Sequence, residues 1–210
     1  MYKRQGRSVH TLAVKATNRF EATRDKIQKY LNAKHREEII FTKGATEAIN
    51  LVASSYGKKY IKKGDEVIIT ELEHHSNYVP WNYLRTDKGA VIKFAQVNKN
   101  GDVEIEEIKK LITNKTKAIL ICNPGNPTGY LYSLEELKTL RDLVKKHDLF
   151  LFSDEVYREF CYDGATPTSV MQLDGIEQNV LMIDSVSKRY SKSTNDAFVF
   201  CFYDKLWFLV

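Results

Sequence analysis

Short apolar runs alternate with amphipathic stretches along this chain of 210 residues. The apolar runs have the length of β-strands buried on both faces, and they lie at residues 38–42, 66–70, 91–94, 118–121, 149–152 and 180–183. The stretches with helical periodicity lie at residues 12–32, 46–56, 103–112 and 134–147. This alternation predicts an α/β fold with a mostly parallel sheet and helices on both of its faces. In such a sheet, ligands bind at the carboxyl ends of the strands.

The charge balance and the cysteine content narrow the classes of function. The formal net charge is only +5 and lysine pairs are spread over predicted helix faces, so we expect no nucleic-acid partner. No apolar run is long enough to span a bilayer and no signal peptide is recognisable, which predicts a cytoplasmic protein without a membrane partner. Cys122, Cys161 and Cys201 lack the spacing of metal ligands, so we expect free thiols and no metal site.

Small residues follow the strand predicted at residues 38–42. Gly44, Ala45 and Thr46 stand between that strand and the next predicted helix. Backbone amides at the positive end of a helix favour an anion such as phosphate, and the Thr46 hydroxyl can add a hydrogen bond. The structural alternative is that Thr46 is the helix N-cap, with Glu47 in the first turn. Because polar motifs follow three later strands as well, we favour a phosphate-binding turn.

Two adjacent histidines, His74 and His75, follow the strand predicted at residues 66–70. Adjacent histidines are poorly placed to chelate one metal ion from a helix, and no carboxylate–histidine spacing favours zinc. A histidine at a strand end can instead stack on an aromatic ligand and transfer protons near neutral pH. We expect His74 to do this and His75 to be a surface or capping residue.

Polar residues also follow the next two predicted strands. Residues 123–129 read Asn-Pro-Gly-Asn-Pro-Thr-Gly, a stiff turn that would hold the amide of Asn126 in one position. Asp154 ends the strand predicted near residues 149–152, and Tyr157 follows three residues later. A carboxylate at the end of an apolar strand needs a polar partner, unless it caps the next helix, which is the structural alternative for Asp154.

Lys188 follows the strand predicted at residues 180–183. Ser185 and Ser187 precede it, and their hydroxyls could bind phosphate. A lysine becomes a useful nucleophile when burial or nearby cations lower its pKa. An isolated exposed lysine beside Arg189 would need no function, but Lys188 comes after three other strand ends that carry polar motifs.

A lysine, an aspartate and an asparagine at one edge of a sheet can hold pyridoxal phosphate (PLP). Asp154 would pair with the protonated pyridine nitrogen and keep the ring an electron sink. Asn126 and Tyr157 would bond to the ring oxygen, and Lys188 would attack the aldehyde. The sequence therefore predicts a PLP site at this edge.

Residues 117–191 resemble the class I/II aminotransferases, which are PLP enzymes of fold type I. The resemblance is carried by the turn at residues 123–129, by Asp154 and Tyr157 and by residues 184–191. It implies cofactor-binding roles for the matching positions, which are Asn126, Asp154, Tyr157, Ser185 and Lys188. It also implies an amino-acid substrate and a homodimer, because fold type I sites are shared between two subunits.

Residues 7–116 resemble class V PLP enzymes of the cysteine desulfurase and selenocysteine lyase type, which share this fold and cofactor. The matching sequences lie at residues 9–12, 37–42, 44–53 and 73–81. The resemblance implies that Thr46 binds the phosphate and that His74 stacks on the ring. The two resemblances meet near residues 114–118, so we interpret the chain as a chimera or a fragment within one fold type.

The sequence departs from both families near its ends. An aminotransferase arginine that binds phosphate, eight places after the lysine, corresponds here to Asp196. The small C-terminal domain and the opening strand of the class V enzymes are not recognisable. We therefore divide the chain into an N-terminal segment of foreign origin at residues 1–10, an incomplete PLP-binding large domain at residues 11–203 and a tail at residues 204–210.

Three functions remain open at this point. The first is a PLP-dependent aminotransferase that moves an amino group from an amino acid to a 2-oxo acid. The second is a cysteine desulfurase or selenocysteine lyase, which the N-terminal half favours. It is opposed by Ser-Val-Ser-Lys at residues 185–188, because a histidine-containing lysine motif is expected in desulfurases. The third is a fragment that binds PLP without turnover. The lysine motif leads us to favour the first.

Overall fold

A computed structural model of the chain describes residues 11–189 and 197–201. The helices are α1 (Thr11–Tyr30), α2 (Ala45–Val52), α3 (Lys58–Tyr60), α4 (His75–Lys88), α5 (Ile105–Leu111), α6 (Leu134–His147) and α7 (Val186–Arg189). The strands are β1 (Ile39–Thr42), β2 (Glu66–Thr70), β3 (Val91–Ala95), β4 (Thr116–Cys122), β5 (Phe150–Asp154), β6 (Val180–Ser185) and β7 (Ala197–Cys201). Residues 1–10, Asp196 and the tail at residues 204–210 lie outside the described residues. No helix in the described part is long and apolar enough to cross a membrane.

The described strands form one sheet in the order β1-β7-β6-β5-β4-β2-β3. Strands β2 to β6 pair in parallel, whereas β7 is antiparallel to both of its neighbours, β6 and β1. The predicted α/β fold with a mostly parallel sheet is confirmed. Because β7 reverses direction on both sides, β1 runs in the same direction as β6. Several strands therefore end at one edge of the sheet, and their last residues are Thr42, Thr70, Cys122, Asp154 and Ser185.

Successive residues of the central strands face two separate hydrophobic cores. Val67 and Ile69 of β2 lie in the core that contains Trp81 of α4, whereas Ile68 lies in the core that contains Leu140 of α6. All five residues of β2 are buried. Burying one large aliphatic side chain contributes about 1.5–3 kcal/mol, so helices on both faces stabilise the sheet. Burial on both faces is also the reason that the strands read as unbroken apolar runs.

Helix α6 begins with the capping box that Ser133 and Glu136 predict. The Ser133 hydroxyl accepts a hydrogen bond from the Glu136 amide at 3.3 Å, and a Glu136 carboxylate oxygen accepts one from the Ser133 amide at 2.7 Å. These bonds satisfy two amides that have no acceptor inside the helix. The helix predicted at residues 134–147 is therefore present with the same bounds.

The helix predicted at residues 46–56 is present within a longer helical segment. In this segment a π-helical turn at Ala53–Gly57 joins α2 directly to α3. A Cβ atom on Gly57 would lie only 2.4 Å from Cδ1 of Leu84. The missing side chain at Gly57 thus lets this turn pack closely against α4.

Candidate active site

A cavity of about 340 Å³ lies at the edge of the sheet where the strand ends meet. Its lining includes all the residues that the sequence analysis places in the site, namely Gly44, Ala45, Thr46, His74, Asn126, Asp154, Tyr157, Ser185, Ser187 and Lys188. These residues follow the ends of different strands, β1, β2, β4, β5 and β6. The sheet order brings them together, and the role of each one stays a prediction.

Asp154 is the last residue of β5 and is only 6% exposed. Its Oδ1 accepts a hydrogen bond from the Val156 amide at 3.2 Å, and its Oδ2 accepts one from Nδ2 of Asn77 at 3.2 Å. Burial raises the pKa of Asp154 to about 6, although both hydrogen bonds oppose the shift. The Val156 bond closes a turn and no described helix begins there, so the helix-capping alternative for Asp154 is wrong.

The side chains of Asn126 and Tyr157 lie next to each other on the cavity wall. Nδ2 of Asn126 lies 3.5 Å from the Tyr157 hydroxyl oxygen. The turn that carries Asn126 is anchored by the buried side chain of Asn123. That side chain donates to the Thr168 carbonyl at 3.1 Å and accepts from the Tyr132 amide at 3.1 Å. Asn126 and Tyr157 therefore present an amide and a phenol to one point on the cavity wall.

Lys188 lies on α7, which begins directly after β6. Its Nζ atom is 5.8 Å from the centroid of the Tyr157 ring, so the amine and the phenol occupy the same part of the cavity. The Ser185 and Ser187 hydroxyl oxygens are 2.8 Å apart, and the Ser187 amide donates to the Ser185 hydroxyl at 3.2 Å. The Lys188 amine and the Ser185 and Ser187 hydroxyls thus lie within four consecutive residues of the chain.

The turn at Gly44 to Thr46 leads from β1 into α2. The N-cap of α2 is Gly44, so the alternative in which Thr46 caps the helix is wrong. The amides of Ala45, Thr46 and Glu47 have no acceptor inside the helix, because they belong to its first turn. The Glu47 carboxylate accepts a hydrogen bond from the Lys43 amide. The turn therefore combines free amide donors and the Thr46 side chain at the positive end of the helix dipole.

His74 lines the cavity and also caps α4. Its Nδ1 accepts a hydrogen bond from the Ser76 amide at 3.2 Å, which leaves the ring proton on Nε2. Burial, followed by the charges of His75 and Lys188, lowers the pKa of His74, so the ring is neutral near physiological pH. The capping role expected for His75 belongs to His74. His75 is the exposed first residue of α4, with its ring centroid 4.1 Å from that of His74.

Some lining residues were not anticipated from the sequence, and they are Lys43, Ser76, Cys122 and Val156. Cys122 ends β4, donates its thiol hydrogen to the Pro124 carbonyl at 3.2 Å, and has its pKa raised by burial. Asn77, which donates a hydrogen bond to Asp154 but does not line the cavity, was also not anticipated from the sequence. No helical spacing signals it, because Glu73 lies before α4 and its contact with Asn77 depends on where that helix begins.

Sequence comparisons relate this chain to a known family. The family model described as aminotransferase class-V matches residues 1–158, a range that includes residues 114–118. A probable cysteine desulfurase of Halalkalibacterium halodurans is 39% identical over 148 residues, which are 70% of this chain and 36% of that protein. A probable cysteine desulfurase of Staphylococcus aureus is 46% identical over 123 residues, which are 59% and 30% of the two chains. The chain thus spans about one third of the length of these curated relatives.

Solved structures with the same fold include both kinds of enzyme. The aromatic aminotransferase from Pyrococcus horikoshii is 29% identical, with a TM-score of 0.74 over 90% of this chain and 49% of that chain. The cysteine desulfurase CsdA from Escherichia coli is 25% identical, with a TM-score of 0.71 over 95% of this chain and 47% of that chain. The predicted resemblance to PLP enzymes of fold type I is confirmed. The chain belongs to the class-V aminotransferase family, whose members are fold type I enzymes that use PLP.

Proposed function

We propose that this chain forms the PLP-binding part of an enzyme that transfers the amino group of an amino acid to a 2-oxo acid. The observation that carries the proposal is the meeting of Lys188, Asp154 and the Asn126–Tyr157 pair on the walls of one cavity. A cavity of about 340 Å³ is within the range of small-ligand sites. We assign the domain that holds this cavity to residues 11–203.

The end of the cavity at α2 fits the phosphate group of PLP. The free amides that follow Gly44 and the hydroxyl of Thr46 are donors for phosphate oxygens. The Ser185 and Ser187 hydroxyls supply further donors from the neighbouring wall. A helix dipole and hydroxyl donors together favour a dianion at this end.

The cavity walls that carry Asp154, Asn126, Tyr157 and His74 would hold the pyridine ring. PLP, when bound, supplies an electron sink for bonds at the substrate α-carbon. Asp154 would hold a proton on the ring nitrogen through a buried ion pair, which would give this carboxylate the partner that its burial demands. Asn126 and Tyr157 would donate hydrogen bonds to the ring oxygen, and His74 would cover one face of the ring with its Nε2 proton available for transfer.

Lys188 would provide the amine that holds the cofactor and then moves a proton. Its position on α7, beside the Tyr157 ring, puts the exposed Lys188 side chain at the cavity wall. We assign to Lys188 the covalent attachment of PLP and the transfer of the substrate α-proton at Nζ.

Reductive trapping tests this assignment. The protein is incubated with PLP, reduced with borohydride, digested and mapped by mass spectrometry. We expect the label on the peptide that contains Lys188, and we expect Lys188→Ala to abolish it. Among the described residues Lys43 is the other lysine of the cavity wall, so a label on the Lys43 peptide would contradict the assignment.

Cysteine desulfuration is the second candidate, because the curated relatives reported above are probable cysteine desulfurases. A desulfurase needs a reactive thiolate at its site, and the cavity offers Cys122, whose pKa is raised by burial rather than lowered. Parallel assays separate the candidates: sulfide release from cysteine on one side, and amino transfer from an amino-acid panel to a 2-oxo acid on the other. PLP binding without either activity would favour the non-catalytic alternative.

The resemblance to fold type I enzymes also supports a homodimer. We propose that two copies of the protein associate with their cofactor cavities near the interface. Sedimentation analysis of the PLP-loaded protein measures the mass directly, and a monomer at micromolar concentration would rule out this part of the proposal.

A further inference from the structure

Asn77 connects the proposed cofactor site to a second carboxylate that lies behind it. It is completely buried on the first turn of α4. Its Nδ2 donates one hydrogen bond to Glu73 Oε2 at 2.8 Å and another to Asp154 Oδ2 at 3.2 Å. The Glu73 carboxylate is in turn held by the Thr70 hydroxyl at 2.9 Å. The residues form a chain of hydrogen bonds from the end of β2 to the cavity.

We infer that Asn77 is a positioning residue for Asp154, and that its amide nitrogen, fixed by Glu73, keeps the Asp154 carboxylate oriented and charged for the cofactor ring. The inference rests on the proposed function, because it assigns to Asp154 the partner role described above. Asn77 itself does not line the cavity.

The two carboxylates determine which way the Asn77 amide points. Ionised carboxylate oxygens only accept hydrogen bonds, so Asp154 in its charged form requires the amide nitrogen. Burial raises the pKa of Glu73 to about 8, and its Oε2 accepts a hydrogen bond from the same nitrogen at 2.8 Å. The amide oxygen of Asn77 is left buried without a hydrogen-bond partner among the described residues. An unsatisfied buried oxygen is unfavourable, so packing alone would not select this orientation. The bonds to the two carboxylates offset that cost.

Asp154 depends on this amide because its other surroundings disfavour its charge. Burial is the largest cause of its raised pKa, and the nearby Asp184 carboxylate adds to the shift. The Cys122 thiol and Glu73 are further titratable groups close to it, on β4 and before α4. Besides Asn77, the donor to its carboxylate among the described residues is the Val156 amide. Removing the Asn77 amide would therefore favour neutral Asp154, which cannot hold a ring proton by an ion pair.

The backbone of Asn77 also connects this chain of hydrogen bonds to His74. The backbone N–H of Asn77 donates a hydrogen bond to the His74 carbonyl at 2.7 Å in the first turn of α4. The residue that orients Asp154 thus belongs to the same helical turn as the histidine proposed to cover the ring. This connection lets one helix end position two sides of the cofactor.

The test measures the PLP dissociation constant and the pH titration of the absorbance of bound PLP. The proteins are wild type, Asn77→Leu, Asn77→Asp, Asp154→Ala and the double variant Asn77→Leu/Asp154→Ala. Both Asn77 variants should bind PLP about tenfold more weakly, because a hydrogen bond to a charged group is lost, and their absorbance titration midpoints should move away from that of wild type. Asn77→Leu should have no further effect in the Asp154→Ala background, because it acts only through Asp154.

Asn82→Leu is the matched control, since Asn82 lies on the same helix and also has a buried amide oxygen without a hydrogen-bond partner. It should leave both measurements unchanged. If Asn77→Leu does not fold, the isosteric Asn77→Asp carries the test. Wild-type affinity and midpoint in the Asn77 variants, or additive losses in the double variant, would overturn the inference. Failure of borohydride to label Lys188 in the wild type would instead overturn the proposed function.

Discussion

The raised pKa of Asp154 predicts an unusual dependence of stability on pH for the cofactor-free protein. An acid whose pKa is higher in the folded state binds its proton more tightly there than in the unfolded chain. Its contribution to stability is complete below the unfolded pKa and is lost as the pH rises through the folded pKa. For Asp154 that window runs from its ordinary value of 3.8 to about 6. The free energy of unfolding should therefore decrease through this window.

The magnitude follows from the size of the shift. One pKa unit corresponds to about 1.4 kcal/mol, so Asp154 alone should remove roughly 2–3 kcal/mol between about pH 4 and pH 7. Urea denaturation of the wild type and of Asp154→Asn measures this contribution as the change in their difference with pH. Comparison with the variant matters because other carboxylates titrate in the same range. Glu155, whose pKa burial raises to about 7, adds a decrease of the same sign.

Asp87→Asn is the control, because Asp87 is an exposed aspartate on α4 that does not line the cavity. Its stability curve should run parallel to that of the wild type. If the curve of Asp154→Asn is also parallel to the wild type from about pH 4 to pH 7, the argument that burial controls the Asp154 carboxylate is refuted.

Two further substitutions test the phosphate end and the packing of the fold. Thr46→Val, which keeps the shape but removes the hydroxyl, should weaken PLP binding by roughly tenfold or more, as measured by fluorescence titration; an unchanged affinity would remove Thr46 from the site. Gly57→Ala should lower the free energy of unfolding by about 1–3 kcal/mol, because its Cβ would lie 2.4 Å from Leu84 Cδ1. In a Leu84→Ala background, which removes the clashing atom, Gly57→Ala should cost less than it does in the wild type.

The strand ends were predictable because each one breaks an apolar run with a polar residue. Asp154 follows four buried residues of its own strand, so a carboxylate there signals either a ligand or a cap. Burial on both faces made β2 and β5 easy to recognise, and the parallel arrangement then implied that their ends meet at one edge. The position of each site residue after a predicted strand was therefore sufficient to predict that these residues share one edge of the sheet.

Contacts between side chains of distant segments could not be predicted in the same way. The bond from Asn77 to Asp154 joins positions 77 residues apart, and no periodic pattern records such a pair. The capping role of His74 depends on where α4 begins, which two adjacent histidines leave ambiguous by one residue. The π-helical turn at Ala53–Gly57 packs against Leu84, and no periodic pattern in the sequence distinguishes this turn from ordinary α-helix.

The antiparallel strand β7 has a consequence for how the site assembles during synthesis. Within the described sheet, β1 pairs only with β7, and Thr42 lies opposite Ala197. Strands β2 to β6 can pair progressively as they leave the ribosome, but β1 must wait for residues 197–201. At about 5–20 residues per second, the intervening chain takes on the order of ten seconds to translate. The turn at Gly44 is thus joined to the sheet late. A nascent chain already contains Asp154 before β1, which leads into the Gly44 turn, can pair with the sheet.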